Sequence, residues 1–208
     1  MAKVNEGAVP VMEIWRGGLL ECVHQAHAVI CDAKGVVAAW GNPQAVIFPR
    51  SSAKMLQALP LLETGAAAAR GLSQAHLALS CASHRGAHVH VDLAGRWLAD
   101  LGLGESDLRC GAHEPGDLAE RNRLIEAHEK PCQLHNNCSG KHSGSVCLGC
   151  LMAEAQGQDA RAFLRGYVKP EHPVMREVSA ALQAATGYDL AHTAVGTDGC
   201  SIPTYAIP

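Results

Sequence analysis

A serine stands three residues ahead of a lysine in "FPRSSAKMLQ", Ser51 and Lys54, where a polar lead-in turns into an apolar run. If a helix starts there, residues three apart share one face, with about 5–6 Å between their Cβ atoms. The partial positive charge of a helix start and desolvation both disfavour a protonated lysine. A neutral Lys54 amine can then take the proton of the Ser51 hydroxyl, as in Ser-Lys hydrolases. The same letters also describe a capping serine, Ser51 or the better-placed Ser52, followed by an exposed lysine.

Three further stretches carry reactive groups. "SCASHRGAHVH" supplies Ser83, a second hydroxyl able to relay protons, together with His84, His88 and His90. Ser83 also reads as a cap for the helix that follows. "CQLHNNCSGKHSG" is the densest polar patch, with Cys132, His135, Cys138, Lys141 and His142 beside glycines that let backbone come close. Thiolate and imidazole suit zinc, although the spacing matches no familiar finger. "GTDGCS" puts Asp198 and Cys200 in a glycine-flanked turn, where the aspartate can bind an amine or close an Asx-turn. "CLGC", Cys147 and Cys150, falls inside an apolar helix and reads as buried structural thiols.

The elements that must position these groups are legible in outline. Met12 to Val46 reads as strands, with turns at Gly17-Gly18 and at "DAKG". A first helix is expected from Ser51 or Ser52 to about Leu62, kinked or ended by Pro60. Others are expected at "SQAHLALSCAS", at "HVHVDLAGRWLADLG" stopped by Gly102, and at "GDLAERNRLIEAHEK". Two more follow, an apolar helix after "QLHNNCSGKHSG" and "HPVMREVSAALQAATG" ending at Gly187. Strands first and helices after, without βαβ alternation, indicate an α+β fold.

Composition sets the outer bounds. At 48% apolar and 18% charged the chain is globular in character, long enough for a real core and without a dividing linker, so one domain is expected. A net charge of −3 without a basic block disfavours nucleic acid and anionic membranes as partners. Aromatics at 4% argue against stacking platforms for bases or glycans. No stretch approaches a membrane span, and the N-terminus, with Glu6 and Glu13, lacks the apolar core of a secretory leader. Nine cysteines without such a leader are better read as buried thiols or metal ligands than as a disulfide framework, and a cytoplasmic location is expected.

Taken together, "EIWRGGLLECVH", "RSSAK", "SCASHRGAH", "NNCSGKH" and "GTDGCSIPTYAIP" resemble the rhizobial type of L-asparaginase, the asparaginase II family, in family order along the whole chain. The resemblance implies a serine β-lactamase/glutaminase-like fold, a sheet packed beside a helical subdomain. It implies Ser51 as nucleophile, Lys54 as its base and Ser83 as the second serine of the relay. Cys138, Lys141 and Cys200 would be zinc ligands, and a lysine that ligates zinc does so as the neutral amine. Arg50, His142 and Asp198 would contact the substrate or support the ligands. The implied substrate is L-asparagine, hydrolysed to aspartate and ammonia, and the implied assembly a homodimer.

Two departures stand against that pattern. Ala87 occupies the position where the family carries an acidic residue after the second serine. The chain also stops at "PTYAIP", before the C-terminal strands and the further lysine of the family fold. Uncovered sheet edges and apolar faces are therefore expected, with a polypeptide that is poorly soluble or inactive by itself. The competing readings are a zinc- or thiol-based binding protein, an inactive fragment of the family, and a glutaminase or penicillin-recognising hydrolase. The last lacks its Ser-x-Asn and Lys-Thr-Gly elements here.

Overall fold

The structure is a computed structural model describing residues 7–208, so Glu6 and the first part of the leader reading lie outside the described residues. Chain contacts define two compact units, one running through Phe48 and including Ala206–Pro208, the other spanning Pro49–Tyr205.

The first unit is built of hairpins. β1 (Val9–Arg16) pairs antiparallel with β2 (Leu19–Ala26), and β3 (Ala28–Asp32) with β4 (Gly35–Trp40), as separate two-stranded sheets. Gly17 and Gly18 make the first turn with φ of 53° and 79°, values a two-residue hairpin loop demands and side chains resist. At the second turn the Asp32 carboxylate accepts the Lys34 backbone N–H at 2.7 Å. Ile47 and Ile207 are joined by an isolated antiparallel bridge. Large apolar side chains stand exposed on these strands, among them Trp15, Leu19, Val36, Val37 and Trp40.

The second unit is mainly helical. The expected first helix is broken into a 3₁₀ turn at Arg50–Ala53, α1 (Lys54–Gln57) and α2 (Leu59–Glu63). Pro60 is the reason: it has no N–H to continue the ladder and sits in the first turn of α2, where none is needed. α3 (Ala66–Ala69) was not legible beforehand, nor was α8 (Ala160–Phe163). α4 (Gln74–Cys81), α5 (His88–Asp100), α6 (Leu118–Glu126), α7 (Ser139–Ala155) and α9 (Pro173–Thr186) fall where the sequence places them. Gly102 and Gly187 follow α5 and α9 in the left-handed region, at φ of 70° and 67°. A short antiparallel pair, β5 (Val195–Thr197) and β6 (Pro203–Tyr205), closes the unit. Helices with small antiparallel sheets are the α+β class expected from the sequence. Among the described residues no helix is long and apolar enough to cross a membrane.

α7 is the axis of this unit. Every residue from Ser139 to Cys150 is buried, and α4, α5, α8 and α9 all pack on it. Its glycines and serines let neighbours come close. A Cβ on Gly140 would lie 2.2 Å from the Leu79 carbonyl oxygen, and one on Gly149 would lie 2.4 Å from a Leu164 methyl. Trp97, Leu98, Leu148, Val174 and Tyr167, all at 2% exposure or less, fill the space around it.

Gly140→Ala is accordingly expected to destabilise the chain by about 3 kcal/mol, since backbone and not a flexible side chain must move. Gly104→Ala, with open space at its Cβ, is expected to stay within about 0.5 kcal/mol. Urea denaturation of both variants checks the contrast.

Candidate active site

Lys54, the first residue of α1, turns its side chain inward and is 2% exposed. Its Nζ donates to the Ala82 carbonyl at 2.7 Å and to the Asn137 carbonyl at 3.3 Å, and lies 2.9 Å from Ser83 Oγ. Burial lowers the pKa of the amine, and the neighbouring Lys141 adds to this, while the thiols of Cys138 and Cys200 pull the other way. The nitrogen thus donates to three oxygens, the two carbonyls and the Ser83 hydroxyl.

Ser83 is held for this contact by the extended segment after α4. It is not a helix cap, since α5 begins at Ala87 without a side-chain cap. Ser51 sits exposed in the 3₁₀ turn, where no side chain caps the turn, and the Ser52 hydroxyl donates to the Pro49 carbonyl. The amine of Lys54 is therefore directed at Ser83, with no hydrogen bond to Ser51. Arg50, directly before Ser51, is exposed and holds φ at 54°. That left-handed conformation costs a non-glycine residue about 1–2 kcal/mol. No hydrogen bond or ion pair ties Arg50 to the buried groups.

A dithiol stands next to the amine. Cys138, the residue before α7, and Cys200, in the Asp198 turn, are buried free thiols that hydrogen-bond each other. Their contact, with Lys141 and Lys54 acting in the same direction against burial, lowers the Cys138 thiol, while the same contact together with burial raises Cys200. Cys200 Sγ also lies 3.4 Å from Asn136 Oδ1, which accepts the Cys138 backbone N–H at 2.9 Å. Lys141 Nζ meets Asp198 Oδ2 at 2.6 Å. Asp198 Oδ1 meanwhile accepts the backbone N–H of Cys200 and of Ile202, so the aspartate both anchors an amine and closes its own turn. Burial raises the Asp198 pKa, yet these bonds outweigh it and the net direction is down.

His142 lies behind this group, fully buried, with Nδ1 2.5 Å from the Tyr167 hydroxyl. The Tyr167 oxygen also accepts the Arg109 backbone N–H at 3.1 Å, and His142 Nε2 is buried without a hydrogen-bond partner among the described residues. Burial brings the His142 pKa down to about 3. His84 is arranged similarly, with Nε2 2.9 Å from Ser139 Oγ and Nδ1 accepting the Gly86 N–H.

The structure thus gathers Lys54, Ser83, Cys138, Lys141, Asp198 and Cys200, with His142 behind them, and leaves Ser51 and Arg50 on the exposed turn. Asn136, part of the dense polar patch, joins the gathered group, and the Ala82 and Asn137 carbonyls and Tyr167 are contributors that sequence reasoning missed. Backbone carbonyls carry no residue signature, and Tyr167 lies far along the chain. His88 and His90 open α5, the helix expected there, and Cys147 and Cys150 are buried thiols pushed up by burial, Cys147 to about 11. Among the described residues no group of three or more His, Cys, Asp or Glu side chains is placed to hold a metal ion. The gathered donors are two thiols and a lysine amine.

A family model for L-asparaginase II matches residues 12–208, and the chain belongs to that family. Membership makes asparagine hydrolysis the suggested activity and a small molecule the suggested substrate. A search of curated proteins finds no match.

Burial lowers the His84 pKa to about 4, with His90 and Lys54 adding to the effect. Between about pH 6.5 and pH 4 the unfolded chain therefore binds a proton that the folded chain does not, and stability rises with pH across that window. His84 is expected to contribute a slope of about 1.4 kcal/mol per pH unit there. His84→Gln is expected to flatten it, as measured by urea midpoints at pH 6.5, 5.5 and 4.5.

Proposed function

We propose that this chain hydrolyses L-asparagine to L-aspartate and ammonia by acyl transfer to a serine. The observation that carries the reading is the caged Lys54 amine, buried, lowered in pKa and in contact with the Ser83 hydroxyl. A lysine lowered by burial gives up its proton more readily than an exposed one, and the neutral amine so formed would be a base beside the serines. Ser51 is the proposed nucleophile: it is exposed on the turn that leads into Lys54, next to the strained Arg50, and strain of that kind clusters at functional sites. Catalytic contacts are often long without substrate and tighten in the complex, which fits an amine that rests on Ser83.

In the proposed reaction Ser51 Oγ bonds to the side-chain amide carbon, and its proton passes to Lys54. The C–N bond then breaks, Ser83 hands a proton to the departing nitrogen and takes the one held by Lys54, and ammonia leaves. Water, deprotonated by the regenerated Lys54 amine, cleaves the ester to aspartate, and that proton returns to Ser51. Backbone N–H groups, that of Ser51 included, would stabilise the oxyanion. Arg50 would meet the substrate carboxylate and Asp198 its α-amino group. His142, held by Tyr167, would support the Lys141–Asp198 side of the site.

Cys138, Cys200 and Lys141 would hold zinc. The fit rests on donor chemistry: Cys138 is already biased to thiolate, and its partner thiol and the Lys141 amine are beside it. A zinc held there supplies substrate positioning by Lewis-acid attraction. The serine β-lactamase/glutaminase-like architecture, a homodimer and a cytoplasmic location belong to this reading as well.

A second assignment within the same reaction has an observation in its favour. The serine hydrogen-bonded to Lys54 is Ser83, which would make Ser83 the attacking hydroxyl. Ammonia release from asparagine separates the readings. The expected result is activity in the wild type, none above background in Ser51→Ala, a loss of about 10³ in Lys54→Met and about 10² in Ser83→Ala. An ester trapped by rapid quench on Ser83 would transfer the nucleophile's role to it. Bound metal with no amide cleaved would favour the binding-protein reading, and no activity at all the inactive fragment.

A further inference from the structure

Away from that site, the imidazole of His135 stands between a thiol and a carboxylate. Its Nδ1 lies 3.2 Å from Cys132 Sγ and accepts the Cys132 backbone N–H at 3.0 Å. Accepting there places the ring hydrogen on Nε2, 3.3 Å from Glu120 Oε1. His135 is 4% and Glu120 3% exposed, while Cys132 is only half-buried. Hydrogen bonds from Arg123 hold the Glu120 carboxyl below its usual pKa against the effect of burial, and the bond from His135 adds to them. His88 Nδ1 approaches the other carboxylate oxygen at 3.8 Å.

The bond from the Cys132 backbone N–H to the His135 ring closes a capping box on the 3₁₀ turn Gln133–His135, which accounts for the ring's position beside Cys132. That turn does not account for a buried carboxylate brought from α6 to the far nitrogen of the ring. A nucleophile, a base within hydrogen-bond reach and a third group that orients the base form a recurring catalytic order, with Cys-His pairs among its variants. Burial and the Glu105 carboxylate push the Cys132 thiol up, so it rests as S–H. A base acting at the moment of attack is what such a thiol needs, since sulfur attacks as thiolate.

We propose that Cys132 is an exchange-active thiol that takes low-molecular-weight disulfides, with His135 as its base and Glu120 as the residue that orients the ring. In the exchange, Cys132 Sγ bonds to one sulfur of the disulfide, and the S–S bond of the reagent breaks. The other sulfur leaves as thiolate. The Cys132 proton passes to His135 Nδ1 and on to the leaving thiolate. One disulfide is consumed and one formed, so no separate oxidant is required. The site is independent of the asparagine reading, since neither serine nor Lys54 takes part.

Incubation of the whole chain with oxidised glutathione at neutral pH, followed by site-resolved mass spectrometry, tests this. Cys81 is the internal reference: it is also half-buried, and Ser80 Oγ is its polar neighbour at 3.9 Å. The expected result is a mixed disulfide at Cys132 formed at least about tenfold faster than at Cys81, a comparison that needs no variant. In His135→Gln, with folding checked by near-ultraviolet circular dichroism, the Cys132 rate is expected to fall about tenfold while exposed Cys22 and Cys31 keep theirs. A Cys132 rate no higher than that of Cys81 overturns the proposal, as does an unchanged rate in folded His135→Gln. If His135→Gln fails to fold, the wild-type ratio decides alone.

Discussion

The site depends on one buried amine. Placing the Lys54 amine at 2% exposure removes its water, a cost of several kcal/mol for a charged group that hydrogen bonds must offset. The Ala82 and Asn137 carbonyls and the Ser83 hydroxyl supply those bonds from two separate segments, the exit of α4 and the entry to α7. Each acceptor also fixes its own segment, so the amine ties the serine loop to the thiol-bearing turn. A longer or shorter side chain at position 54 would lose the three hydrogen bonds that hold these two segments together.

The packing of α7 makes that convergence possible. Gly140 lets the helix approach Leu79 so closely that the α4 exit, with Ala82 and Ser83, lies against the α7 entry, with Asn137 and Cys138. The same helix carries Lys141 to Asp198 and His142 to Tyr167, so one rigid element presents successive residues to different partners. The dithiol gains its asymmetry there as well. Cys138, beside two lysines and its partner thiol, is lowered, while Cys200, facing Cys138 and Asp198, is raised.

Much of this was legible in the residues, and the misses have physical reasons. "RSSAK" and "NNCSGKH" flagged Lys54, Cys138 and Lys141, because reactive side chains in short polar stretches stand out against apolar helices. One turn of helix suggested Ser51 as the partner of Lys54. The amine turned instead to Ser83, 29 residues on, because burial and two carbonyls outweighed proximity. No local pattern predicts a carbonyl 83 residues away at Asn137. The α+β class followed from strands preceding helices. Pro60 marked the break of the first helix, whereas α3 and α8 escaped because four-residue helices have too few turns to show a period. The triad-like order at Cys132, His135 and Glu120 was hidden because its carboxylate comes from α6, on a stretch that read only as a charged exposed helix.

The protonation of Lys54 is the most direct point of attack on this account. Lysine ¹³Cε and ¹⁵Nζ resonances, assigned by comparison with Lys54→Met and followed from pH 6 to pH 11, report each amine separately. The account predicts that Lys54 titrates below the other lysines and is the resonance perturbed when Ser83 is replaced by alanine. A Lys54 resonance that moves with the exposed lysines near the ordinary value of about 10.4, indifferent to Ser83, would contradict it.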